Sequence, residues 1–144
     1  MTEPAHILTA AVRLGFGVLF LAAGVSKLLR AGSVRNIVAR YRLLPAAMVP
    51  FAAQLVAAAE VIAGLLLILS VRAPVYGAAW MLAAGLLSLF SLAILSTLAR
   101  GITVPCGCAP LLNGHVVTWA TLQRNLLLLS LLVVDHVTQS GAPW

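Results

Sequence analysis

Two thiols stand one residue apart in this chain, Cys106 and Cys108, with Gly107 between them and Pro105 and Pro110 on either side. They are the only cysteines among 144 residues. Cysteines at i and i+2 can hold their Cα atoms roughly 5.5–7 Å apart, which overlaps the separation a disulfide tolerates. Gly107 lets the backbone bend as so small a ring requires, and the prolines keep neighbouring helices from absorbing the segment. A pair of this kind can cycle between dithiol and disulfide. It can also hold a soft metal ion, Cu(I) or Hg(II), through two thiolates. The plainer alternative is two unrelated small residues packed at a helix end. His115 lies seven residues beyond Cys108. It is placed either as a base or further metal ligand, or as an interfacial histidine with neither role. A four-ligand zinc site would need more Cys or His than this loop offers, and the sequence has no phosphate loop or serine triad.

The elements that must hold this loop are membrane helices. Hydrophobic residues make up 62% of the chain, charged residues 8%, and mean hydropathy is +1.10. A soluble domain carries about a quarter charged residues, so that class is excluded. Four apolar stretches, 7–29, 46–70, 75–98 and 116–134, are each long enough to cross a hydrocarbon core of ~30 Å at ~1.5 Å per residue. The expected architecture is all-α: one integral membrane domain over residues 1–144, a bundle of four transmembrane helices. The start, Met1-Thr2-Glu3-Pro4-Ala5, lacks a basic n-region, so the first span is expected to be retained rather than cleaved as a signal. Pro4 suits a first helical turn, with Thr2 or Glu3 near its cap.

The net charge of +6 points to lipid headgroups and topology rather than to nucleic acid. Lys27, Arg30, Arg35, Arg40 and Arg42 gather around the first connection, where basic residues set orientation and meet lipid. Within that connection Val34, Ile37, Val38 and Tyr41 recur at i, i+3, i+4 and i+7, while Arg35, Asn36 and Arg40 fall elsewhere. This pattern predicts a short amphipathic interfacial helix over 33–41, with Ser33 as its cap and Leu43-Leu44-Pro45 as its end. An unstructured basic loop is the alternative. Residues 71–74 form a tight second connection, which makes spans two and three antiparallel neighbours. Four spans put the first and third loops on one face of the membrane, so the amphipathic segment is expected to roof the cysteine loop.

Besides Lys27 at the end of the first, three charged residues fall within the expected spans: Arg13, Glu60 and Arg124. Each costs roughly 2.5–3.5 kcal/mol at mid-bilayer, so pairing or function is the default. Counted from the cysteine face, Arg124 is ~12 Å deep, Glu60 ~15 Å and Arg13 ~24 Å. Matching depth predicts a Glu60–Arg124 pair, with Arg13 snorkelling to its own interface. That pair would either fix helix register or serve redox or quinone chemistry. Lys27, at the cysteine-face end of span one, would lower a nearby thiol's pKa or act simply as an anchor. His6 and His136 lie on the far face.

The ordered set of Phe20-x3-Gly24-x2-Lys27-Leu28, Tyr41-Arg42-Leu43-Leu44-Pro45, Glu60-x3-Gly64, Cys106-Gly107-Cys108 and Arg124-Asn125 resembles the methylamine utilisation protein MauE family, within the wider DoxX-like group of four-helix membrane proteins. The resemblance covers nearly the whole chain. It implies thiol–disulfide chemistry at a bacterial cytoplasmic membrane, with Cys106 and Cys108 as the redox pair. The implied partner is a thioredoxin-like protein or a disulfide-rich exported protein such as methylamine dehydrogenase. Pro105, Gly107, Lys27, Glu60, Arg124, Asn125 and His115 carry over as supporting positions. Vitamin K epoxide reductase relatives use two cysteine pairs; this chain has one, so electrons must pass directly to a partner dithiol, a quinone or a small thiol. No certain cofactor follows, a quinone being the candidate. The remaining readings are a soft-metal binding membrane protein and a non-catalytic assembly factor. Lys27, Arg30, Arg35, Arg40, Arg42 and Arg100 flank the cysteine face against Arg72 on the other. Positive-inside counting puts the cysteines on the cytoplasmic side, whereas the resemblance implies the outer face, where disulfides persist.

Overall fold

A computed structural model of the chain describes residues 3–105 and 116–140. Among these residues the fold is all-α: α1 (Glu3–Leu29), α2 (Ala31–Arg40), α3 (Val49–Leu69), α4 (Tyr76–Ala99) and α5 (Trp119–Ser140), with a single 3-10 turn at Ala46–Met48 before α3. Three segments, His6–Leu29, Ala46–Leu69 and Tyr76–Ala99, are long and apolar enough to cross a membrane. The chain is an integral membrane protein. The segment expected as a fourth span forms a helix, α5, but it is not among the three. Its sequence explains why: Gln123, Arg124, Asn125, Asp135 and His136 dilute its leucines.

Helix ends follow local chemistry. Pro50 sits in the first turn of α3, where no backbone N–H is needed. The end of α4 is closed by Gly101 at φ +64°, a conformation that needs no Cβ. The Gly101 N–H reaches the Leu98 carbonyl at 3.1 Å and the Ile102 N–H reaches Thr97 at 3.0 Å, the reciprocal bonds of a Schellman ending. α2 departs from expectation at its start. It begins at Ala31, with only Arg30 between it and α1, and no side chain caps it. Because the Val34 N–H already bonds the Arg30 carbonyl at 3.1 Å, Ser33 lies inside the first turn and cannot act as the cap. The amphipathic pattern itself is realised: Val34, Ile37, Val38 and Tyr41 are half-buried, whereas Arg35, Asn36, Ala39 and Arg40 are exposed.

The most extensive helix–helix interface joins α1 to α3. It is close because glycine makes it so. A methyl on Gly64 would lie 2.7 Å from the Gly17 carbonyl oxygen and 2.7 Å from the Leu21 nitrogen; one on Gly24 would lie 2.8 Å from the Ala57 oxygen. These obstacles are backbone and cannot swing aside. In lipid, where the hydrophobic effect does not drive helices together, such backbone approach is a main source of packing energy. Gly64→Ala is therefore expected to lower stability by about 1–3 kcal/mol. The measurement is the thermal midpoint of the detergent-solubilised protein. Gly85→Ala on α4, where an added methyl meets open space, should leave the midpoint level or slightly raise it. Equal losses at the two sites would contradict the close crossing.

Pairing Gly17 with Gly64 and Gly24 with Ala57 makes α1 and α3 antiparallel. Phe16, Phe20, Leu67, Ala83, Leu86 and Leu132 then fill a core drawn from α1, α3, α4 and α5. A second cluster, Ile94, Val104, Val117 and Leu122, with Tyr41, Leu98 and Ile102 against it, closes the end of the bundle where α4 finishes and α5 begins.

Candidate functional site

Cys106, Gly107, Cys108 and His115 lie outside the described residues, but the stem that carries them is defined. Pro105 and Val116 form an isolated antiparallel bridge, and the Val117 N–H donates to the Val104 carbonyl at 2.9 Å. Val104 is fully buried and Val117 nearly so, which is why the strand-like stem stays at the bundle end. Pro105 and Val116, the two described residues that flank the segment, thus meet at one place. Tyr41, at the end of α2, packs against this stem cluster. The Arg100 guanidinium ties the two connections together, donating to the Tyr41 carbonyl at 2.6 Å and to Arg42 at 3.5 Å. Arg42 there takes a left-handed φ of 50°. Val34 turns instead toward Ala53 and Ala57 of α3, beside Lys27.

Beneath this end lies a buried ion pair between Lys27 of α1 and Glu60 of α3. The Glu60 side chain is 2% exposed and that of Lys27 10%. The expected Glu60–Arg124 pair is thus corrected: the ionic partner of Glu60 is Lys27. Helix direction gives the reason. Side chains lean toward the N-terminus of their own helix. Lys27, near the end of α1, leans back toward mid-bundle, while Glu60 leans toward the start of α3 at the same end. The two reach across a Cα depth difference that positional counting treats as a mismatch. The Lys27 ammonium also lies 5.0 Å from the centre of the Phe90 ring on α4, so it is shielded on its third side by an aromatic face.

Oε2 of Glu60 and Nδ2 of Asn125 are buried without a hydrogen-bond partner among the described residues. Asn125 is itself 3% exposed. Arg124, its neighbour on α5, is half-buried. The loop end of the bundle therefore holds one spare carboxylate acceptor and one spare amide donor below the cysteine stem.

The opposite end carries a cluster that sequence reasoning missed. Arg13 does not snorkel free: its Nε pairs with Asp135 Oδ2 at 3.3 Å, its Nη1 donates to the Ser70 carbonyl at 3.3 Å, and its guanidinium stacks 3.8 Å above the Tyr76 ring. The Tyr76 hydroxyl donates to the same Asp135 oxygen at 2.6 Å. Trp80 stacks on His136 at 4.1 Å and donates its indole N–H to the Leu132 carbonyl at 3.2 Å. Asp135 escaped notice because the expected span stopped one residue short of it, at Val134. The signal was there: an acidic residue directly after an apolar run, at a depth matching Arg13.

The family model for the methylamine utilisation protein MauE matches residues 5–137 of the chain. No curated protein and no solved structure matches it.

Proposed function

The chain belongs to the methylamine utilisation protein MauE family, and from that premise we propose that it is a membrane thiol–disulfide exchange protein working through Cys106 and Cys108. The observation supporting this reading is the closed stem: Pro105 bridges Val116, so the segment whose sequence holds the only two thiols begins and ends at one end of the bundle. A thiolate of the pair attacks a disulfide of the partner to form a mixed disulfide, and the second thiol of the pair then attacks the first one's sulfur, expelling the partner as its dithiol. The cysteines then form a disulfide, and the two electrons and two protons reside on the partner dithiol. The reverse sequence oxidises the partner. A quinone as acceptor would take the same two electrons and two protons to become a quinol. The partner we favour is thioredoxin-like or a disulfide-rich exported protein, methylamine dehydrogenase being the one the family's name suggests, in a bacterial inner membrane.

This reading takes α5 as a fourth span. Its 22 residues extend ~33 Å, and its polar Asn125 and Asp135 are buried rather than turned to lipid, so its lower apolarity does not oppose crossing. The basic first loop and the cysteine loop then share a face. We assign that face to the outside, where disulfides persist. Arg30, Arg35, Arg40, Arg42 and Arg100 still outnumber Arg72 in a positive-inside count, so this assignment rests on the family resemblance alone.

In a glutathione redox series on the purified full chain, alkylation mass shifts should report one reversible two-electron couple. Cys106→Ser or Cys108→Ser should abolish it. Two thiols that never oxidise together would overturn the reading, and tight Cu(I) binding without oxidation would support a soft-metal role. Labelling of intact cells by a membrane-impermeant maleimide reads the face: signal before lysis supports the outside, and signal only after lysis refutes it. Tyr41→Ala should speed that labelling, since Tyr41, the residue that follows α2, packs against the stem cluster.

A further inference from the structure

A groove of about 470 Å³ runs along the outside of α1, walled by Val18, Ala22, Val25 and Leu29 and ending at Arg30. Among the described residues its walls come from α1 and the residue that follows it alone. Val18, Val25 and Leu29 are 59%, 42% and 81% exposed, the burial expected of a lipid-facing surface in a helix that spans the membrane. The twelve steps along the helix from Val18 to Arg30 rise ~18 Å, close to the ~15 Å of one leaflet's hydrocarbon. The groove therefore begins near mid-membrane and ends at a cation at headgroup level.

We propose that this groove is a binding site for one anionic phospholipid, its acyl chain along Val18 to Leu29 and its phosphate on Arg30. Charge favours the anionic headgroup. Arg35, Arg40 and Arg42 are exposed on the connection that follows, while Lys27, one turn before Arg30, is turned inward onto Glu60. A second copy of the chain fits less well. A two-fold parallel pair through this stripe would set each Arg30 against its own copy, and apolar contact with another helix gains nothing over contact with lipid.

Native mass spectrometry of the full chain, exchanged into equimolar phosphatidylglycerol and phosphatidylcholine of the same acyl composition, tests the site. The wild type should retain phosphatidylglycerol preferentially. Arg30→Gln should cut that preference about fivefold, the effect of ~1 kcal/mol per basic residue at the surface, and Arg30→Lys should keep it. Arg72→Gln, at the other end of the bundle, should leave it unchanged. Ala22→Leu, which fills the groove from a lipid-facing position, should lower retention of both lipids. An unaltered preference in Arg30→Gln overturns the proposal. So does displacement of the lipid by millimolar inorganic phosphate, or a dimer that Ala22→Leu disperses.

Discussion

Glu60→Gln is expected to destabilise the protein by about 3–5 kcal/mol, because it strands the Lys27 ammonium in the bundle without its counter-ion. Lys27→Gln should cost a similar amount, leaving the Glu60 carboxylate buried. The double variant Lys27→Gln/Glu60→Gln should recover a large part of the summed loss, since two neutral amides can bond where two charges did. The cycle is measured by chemical or thermal unfolding in a fixed detergent. A parallel cycle between Glu60→Gln and Arg124→Gln should be additive within about 0.3–0.5 kcal/mol, as expected of residues without a shared bond. Coupling that appears with Arg124 and vanishes with Lys27 would reverse the assignment. The asymmetry of the environment sharpens the expectation. Phe90 lies against the ammonium, and a ring face replaces only part of a carboxylate's attraction for a lysine deprived of its partner.

Asp135→Leu should have an effect of the same order, about 3–5 kcal/mol, with a different signature. It removes at once the carboxylate paired with Arg13 and the acceptor of the Tyr76 hydroxyl. The loss falls on α5, the least apolar of the long helices, whose polar contacts near this end include Asp135, the Trp80–Leu132 hydrogen bond and the stacking of Trp80 on His136. Beyond a lower unfolding midpoint, α5 should loosen first. Gln139→Cys placed in a cysteine-free background should be labelled faster by a polar maleimide in Asp135→Leu than with Asp135 intact. Asp135→Asn keeps an acceptor for Tyr76 and should lie between the two. An Asp135→Leu protein as stable as its parent would show that the cluster is ornamental to the fold.

How far the sequence could be read depended on whether a feature lay in the pattern along one helix or in the contact between two. Apolar length alone exposed α1, α3 and α4, and the i, i+3, i+4, i+7 spacing of Val34, Ile37, Val38 and Tyr41 exposed α2. Those are properties of single segments. Pairing is not. Counting Cα depth matched Glu60 with Arg124, whereas a lysine side chain leaning along its helix reached Glu60 from a shallower position. The motif positions Gly24 and Gly64 were visible, but their purpose became clear only when α1 and α3 were seen to cross on them. The limit of α5 was misread for a related reason: a span was ended where hydrophobicity ended, although Asp135, one residue on, is buried by its partners. The stem of the cysteine loop was legible only as a proline. Its bridge to Val116 is a long-range contact that no local pattern announces.

The two ion pairs differ in the distance along the chain that separates their members, 33 residues for Lys27 and Glu60 and 122 for Arg13 and Asp135. At a synthesis rate of 5–20 residues per second, Arg13 waits on the order of ten seconds for its partner to be made. Lys27 waits a few seconds, and meets Glu60 as soon as α3 folds back onto α1. Biogenesis is thus staged by charge. The first two long helices can lock while the ribosome is still working, whereas the arginine near the start of the chain has only the Ser70 carbonyl and the Tyr76 ring until α5 brings its carboxylate. Truncated or stalled chains lacking α5 would carry that unmatched guanidinium in the membrane, a mark by which a quality-control protease could tell unfinished molecules from complete ones.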